Sequence, residues 1–330
     1  MLEHGGRLLR AVRQYGIARE QWLDLSSGIA PWSFPIPPIP LEAWARLPET
    51  DDGLEQAACS YYGATRLLPV AGSQAAIQAL PLLRSPSRVG VLTPCYAEHP
   101  YAWQRVGHAL LELDEHQVDE ALDDLDVLVL VNPNNPTGRV VPAPTLLGWH
   151  QRLAARGGWL VVDEAFMDNS PGTSVMESAE RPGLIVLRSF GKFFGLAGVR
   201  LGFVAAEHSL LLRLAELLGP WTINGPSRVL AQASLTDQAM QQLQRQRCAD
   251  ASERLAALLI HAGLAPAGGC DLFQYVRCEH AARLHDHLAR HGVLVRLFER
   301  PAALRFGLPP SQADERRLAQ ALSAYPKDLT

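Results

Sequence analysis

The sequence predicts an α/β fold: a large domain on a mainly parallel, mixed sheet and a smaller C-terminal α/β domain. Three observations predict it. Short runs that are apolar at nearly every position alternate with helical patterns through the first two-thirds of the chain: Val89–Leu92, Ala109–Leu113, Val127–Val131, Trp159–Val162 and Leu184–Leu187. Such runs are strands buried on both faces, which requires helices on both sides of a parallel sheet. The polar and glycine-bearing motifs follow these runs: Ala71-Gly72-Ser73-Gln74, Thr93-Pro94-Cys95-Tyr96, Asn132–Gly138, Asp163-Glu164 and Ser189–Lys192. In open α/β sheets, ligands bind beyond the carboxyl ends of the strands. Finally, there is no GxGxxG, so a dinucleotide fold lacks its fingerprint.

Taken in order, residues 1–40 read as an arm, with a short amphipathic helix over Arg7–Tyr15, a strand-and-turn at Leu23–Gly28 and an extended, proline-rich run from Pro31 to Pro40. The large domain then covers 41–233. Its first elements are a helix over Leu54–Tyr62 and the apolar run Leu67–Val70. The glycine turn after that run opens a helix over Ala75–Leu83, an arrangement that aims free amides at an anion. Helices over Pro100–Gly107 and Pro144–Arg156 separate the later strands. Gly219-Pro220-Trp221 is a break. A long helix from about Ser234 to Ala262 opens the small domain, 234–330, with strands at Leu272–Val276, Val293–Arg296 and Leu304–Phe306 and helices near 280–291 and 311–324.

Composition narrows the function. The 330 residues are 48% hydrophobic, enough for a substantial core, and the net charge of -4 without a basic run argues against nucleic acid as partner. No apolar run approaches the roughly 20 residues of a membrane helix, and the start of the chain has no signal-peptide pattern. Five cysteines without a CxxC point to reduced thiols in the cytoplasm.

The chemistry gathers on Ser189–Phe203. Lys192 sits among glycines and aromatic residues, with no acidic neighbour, and Arg200 follows. Desolvation suits such a lysine to Schiff-base chemistry. Ser73, Ser189 and Arg200 can share one phosphate. Asp163, at a strand end, needs a cationic partner, which a protonated pyridine nitrogen would supply. Tyr96 can stack on a flat ring and Asn135 can donate to a ring oxygen. A flat cation with a phosphate, an oxygen substituent and an aldehyde is pyridoxal phosphate.

The run Asn132–Gly138, the tetrad Asp163-Glu164-Ala165-Phe166 and Ser189…Lys192…Arg200 resemble class I/II aminotransferases of the fold-type-I pyridoxal phosphate group, and the resemblance extends from Leu23 to Arg305. It implies that Lys192 carries the cofactor, Asp163 pairs with the pyridine nitrogen and Tyr96 stacks on the ring. Asn135 contacts the ring hydroxyl, and Gly72, Ser73, Gln74, Ser189 and Arg200 hold the phosphate. Arg305 matches the arginine that binds a substrate's α-carboxylate. The resemblance also implies a homodimer with shared active sites.

Within that family the chain resembles histidinol-phosphate aminotransferases and the threonine-phosphate decarboxylases of cobalamin synthesis. Three features favour the decarboxylases: His4-Gly5-Gly6, the run Leu25–Pro31 and Phe166, which replaces the usual tyrosine. In the run, Gly28 and Ala30 replace two asparagines of the pattern, and Gly28 joins the substrate-binding set. The resemblance implies decarboxylation of L-threonine O-3-phosphate, with Arg296 and His4 facing the substrate phosphate and Asn135 also near the substrate. The alternatives are transamination, of histidinol phosphate or a similar substrate, and a non-catalytic cofactor-binding subunit of a cobinamide-forming assembly. One departure stands out. Arg46-Leu47-Pro48 has leucine where both relatives place a tyrosine that reaches the neighbouring subunit. Tyr61 and Tyr62 are the candidate replacements.

Overall fold

The structure, a computed structural model, describes residues 2–326. Its strands are Leu23–Asp24 (β1), Leu68–Val70 (β2), Arg88–Leu92 (β3), Ala109–Leu113 (β4), Val127–Val131 (β5), Trp159–Asp163 (β6), Leu184–Ser189 (β7), Gly202–Ala205 (β8), Gly268–Cys270 (β9), Phe273–Arg277 (β10), Val293–Leu294 (β11), Arg296–Phe298 (β12) and Ala303–Gly307 (β13). The chain forms two compact units. The large unit is Phe34–Asn135 with Val140–Gln242; the small unit takes the residues up to Ser33, Pro136–Arg139 and those from Leu243 on.

The large unit is built on a seven-stranded sheet in the order β2-β8-β7-β6-β5-β3-β4. From β7 to β4 all pairs are parallel; β8 runs antiparallel to both its neighbours. The sheet is therefore mixed and mainly parallel, as the apolar runs predict. Alternation along each strand sends side chains to two cores. Leu128, Leu130, Leu160, Val162 and Val186 join one. Val127, Val129, Val161, Ile185 and Leu187 join the other. The same alternation runs to the ends of β6 and β7 and one residue past β6. Asp163 and Ser189 fall on the side of Val161 and Leu187, while Glu164 and Arg188 fall on the opposite side.

In the small unit β12-β13-β10-β9 make an antiparallel sheet, and β1 pairs in parallel with β11. Val293–Arg296, predicted as one strand, is thus divided between two sheets: Val293 and Leu294 pair with β1, and Arg296 starts β12. The single long helix predicted from Ser234 is also two. Gly225–Thr236 is capped by the Asn224 side chain, and Gln238–His261 begins after Asp237. Asp237 leaves helical geometry at φ -85 and ψ 80, and its carboxylate accepts from Met240 N at 3.0 Å, so it ends one helix and caps the next. Helix His208–Leu218 was not predicted by the patterns above.

Candidate active site

In the large unit, the chemistry-bearing residues lie around the ends of β2, β3, β5, β6 and β7 and the start of β8. Lys192 lies in a single helical turn, Phe190–Phe193, rather than in a loop. It is half-buried, and its Nζ lies 5.8 Å from the centre of the Phe166 ring, itself buried. Asp163, the last residue of β6, is buried, and its Oδ2 lies 2.9 Å from Nε2 of buried His99. Its Oδ1 accepts from Ala165 N at 3.1 Å. Sequence reasoning missed His99. The available signal was its place three residues after Tyr96, one helical turn away, and the two rings do meet edge to face with centroids 6.2 Å apart.

A second group surrounds the turn after β2. Gly72 has φ +72 and ψ 155, and a Cβ there would come within 2.7 Å of Arg200 Nη2. Arg200 itself adopts a left-handed φ of 56, and its Nη1 donates to Ala197 O at 3.2 Å. A Cβ on Gly202 would lie 2.5 Å from Ser73 N, so the start of β8 touches the same turn. Ser189 ends β7. The Gln74 side chain is bonded within the large unit: its Oε1 accepts from the Tyr96 hydroxyl at 3.1 Å and its Nε2 donates to Glu98 Oε2 at 2.8 Å. Burial, aided by the Glu98 charge, pushes the Tyr96 phenol up to about 12. Asn135 lies half-buried in the turn after β5, beside Asn134, whose Nδ2 donates to Pro94 O at 2.8 Å.

The face opposite Asp163 holds a buried ion cluster. Arg188 Nη1 donates to Glu164 Oε2 at 2.9 Å, Nη2 lies 3.4 Å from Asp168 Oδ1, and the guanidinium sits 4.5 Å from the centre of the Tyr62 ring. Tyr61 donates its hydroxyl to Asp168 at 3.0 Å. Tyr62 is buried and Tyr61 half-buried, and their rings meet edge to face with centroids 4.7 Å apart.

Four of the five predicted substrate residues, His4, Gly28, Arg296 and Arg305, belong to the small unit and lie near Ser26; Asn135 belongs to the large unit. Arg305, on β13, is buried and its Nη2 donates to Ser26 O at 3.2 Å. Gly6 N donates to Ser26 Oγ at 2.7 Å, which fixes the His4-Gly5-Gly6 segment there. Gly28 is buried two residues beyond Ser26. Arg296 and Arg305 are direct partners across β12 and β13. Burial, with the Arg296 charge adding to it, pushes the Arg305 guanidinium down to about 10; Arg296 is lowered mainly by burial.

The family model for aminotransferase class I and II matches residues 42–322. The chain belongs to this aminotransferase family. It is 60% identical to threonine-phosphate decarboxylase of Pseudomonas aeruginosa, over 98% of each chain. To the threonine-phosphate decarboxylase of a Sinorhizobium species it is 42% identical, over 97% of each. Among solved structures it resembles histidinol-phosphate aminotransferase from Sinorhizobium meliloti in complex with pyridoxal-5'-phosphate, with a TM-score of 0.83 at 21% identity, covering 97% of this chain and 94% of that one. At that identity the likeness shows the aminotransferase fold.

Proposed function

We propose that the chain is a pyridoxal-phosphate-dependent carboxy-lyase acting on L-threonine O-3-phosphate. The observation that carries the substrate reading is the pair Arg296 and Arg305, two arginines directly opposed across β12 and β13. Like charges opposed in this way destabilise a sheet, and Arg305 is buried as well. A ligand with two anions, a carboxylate and a phosphate, offsets both costs. The reaction reading rests on the 60% identity to a threonine-phosphate decarboxylase along the whole chain. The alternative, transamination, keeps the same cofactor residues.

The residues fit the cofactor. With no side chain, Gly72 lets the Arg200 guanidinium come up against the turn, within 2.7 Å of where a Cβ would stand. Ser73 and Ser189 lie at the neighbouring strand ends. Arg200, Ser73 and Ser189 would hold the phosphate, and Tyr96 and Asn135 the ring. Asp163, backed by His99, would pair with the ring nitrogen, and Lys192 would carry the aldehyde carbon. Gln74 would contribute by fixing the Tyr96 hydroxyl. Pyridoxal phosphate supplies an electron sink for the bond broken at the substrate's α-carbon.

The protein's part is selection and proton handling. Arg305 holds the α-carboxylate by a guanidinium fork, which fixes the orientation of the bond to be broken. Arg296 and His4 take the remote phosphate, and Gly28 gives the substrate room beside Ser26. Lys192 would hold a proton on Nζ and deliver it to the substrate's α-carbon in place of the departing carboxylate. Phe166 presents no hydroxyl to this region, so the proton traffic falls to Lys192. Five free cysteines suit a cytoplasmic setting. Exposed Ile36, Leu41, Trp44 and Leu47 suit a homodimer, giving an apolar segment a partner surface.

The test is substrate specificity in wild type, Arg296→Ala and Arg305→Ala, with threonine phosphate and free threonine. Each charge-assisted contact is worth about 2–5 kcal/mol in a closed site. Arg305→Ala lowers kcat as well as raising KM. Arg296→Ala raises KM for threonine phosphate and erases the preference over free threonine. A wild type that prefers the unphosphorylated amino acid contradicts the reading.

A further inference from the structure

In the small unit, the start of the chain borders a cavity of about 520 Å³ whose lining includes Arg7, Arg10, Arg296 and Arg300 against Glu3 and Glu299. Three of these arginines turn to one short segment. Glu3 Oε1 accepts from Arg10 Nη1 at 2.9 Å, and Glu3 Oε2 from Arg7 Nη1 at 3.5 Å. The main-chain oxygen of Glu3 accepts from Arg296 Nη2 at 2.6 Å, and that of Leu2 from Arg7 Nη2 at 3.0 Å. The Arg7 charge bears unfavourably on Arg296, and Glu3 relieves it. The cavity is thus a cationic cradle that holds a carboxylate from its own chain.

We propose that the Glu3 carboxylate is the resident anion of a phosphate pocket formed by Arg7, Arg10 and Arg296, and that a phosphate monoester enters by displacing it. Arg7 and Glu3 are then specificity-determining residues, a role that rests on the assignment of Arg296 to the substrate phosphate. Charge and exposure decide the exchange. Glu3 brings one negative charge, and its side chain is 56% exposed, so its ion pairs are weak. A phosphate dianion brings more charge and three acceptor oxygens to the same guanidinium groups. The hinge is built in. A Cβ on Gly5 would collide with the Ser26 carbonyl, and Gly6 N is tied to Ser26 Oγ. Residues 5 and 6 therefore stay anchored while Glu3, two positions earlier, swings out.

The experiment measures, on the holoenzyme, KM for threonine phosphate and inhibition by inorganic phosphate in wild type, Glu3→Gln, Arg7→Ala and Arg296→Ala. Removing a weak internal competitor makes both ligands bind about two- to five-fold more tightly in Glu3→Gln. The change falls on KM rather than kcat. Arg7→Ala weakens both ligands several-fold and reduces the preference for threonine phosphate over free threonine. If Arg296→Ala weakens phosphate while Glu3→Gln and Arg7→Ala match wild type, the displacement proposal fails and the substrate reading stands. If Arg296→Ala leaves phosphate affinity unchanged, both fail. Glu3→Gln that binds phosphate more weakly than wild type also overturns the proposal.

Discussion

Lys192 is the residue on which the proposed chemistry depends. It is half-buried on one helical turn, facing the Phe166 ring. Lys192→Ala is expected to fold, to lack the visible absorbance of the lysine-linked cofactor and to lose turnover. Absorbance spectra with added pyridoxal phosphate and a turnover assay check this. Arg305 carries a pH dependence. Burial has pushed its guanidinium down to about 10 in the folded chain, below the value in the unfolded one. The buried charge is a cost to folding that persists below that pH and is relieved as pH rises through it. The same rise removes the cation proposed to bind the carboxylate. The account therefore expects kcat/KM to fall above about pH 10, on a limb that Arg305→Ala lacks; pH profiles of the two proteins decide it. Lys192, Asp163, Ser189 and Arg200 stand out in the sequence because their types and spacing suit the proposed chemistry. His99 was not, because only the fold places its ring 2.9 Å from Asp163. The engagement of Gln74 with Tyr96 and Glu98 was hidden for the same reason.

At the scale of elements, the turn between β2 and the helix Ser73–Ala79 would set the proposed phosphate cradle. Gly72 combines φ +72 with ψ 155, a region almost confined to glycine, and faces Arg200 closely. A side chain here strains the backbone by about 1–3 kcal/mol and pushes the guanidinium aside. Gly72→Ala is expected to weaken pyridoxal phosphate binding at least about tenfold, as ~1.4 kcal/mol implies; equilibrium dialysis of the apoprotein measures it. The parallel strands were legible because burial on both faces leaves an unbroken apolar run. The helix junction at Asp237 was not, since Ser234 to Ala262 reads as one helical stretch and only the backbone departure at Asp237 divides it. The division of Val293–Arg296 between two sheets is likewise a matter of partners, β1 on one side and β13 on the other.

At the scale of the molecule, the large unit's sheet works on both its faces. Asp163 and Ser189 lie on the face of the proposed cofactor site, while Glu164, Arg188 and Asp168 form a buried ion cluster on the other. Removing one member of such a cluster strands a buried charge, at a cost of about 3–5 kcal/mol. Glu164→Ala is expected to lose stability on that scale in urea denaturation of the apoprotein, although Glu164 is adjacent to Asp163 and faces away from the proposed site. The central claim concerns what the whole enzyme does to its substrate. The most direct measurement incubates the holoenzyme with L-threonine O-3-phosphate and quantifies carbon dioxide, the phosphorylated amine and any keto acid. The account predicts carbon dioxide and aminopropanol phosphate in equal amounts, over many turnovers, with no keto acid. Keto acid accumulating with pyridoxamine phosphate, and no carbon dioxide, would contradict it.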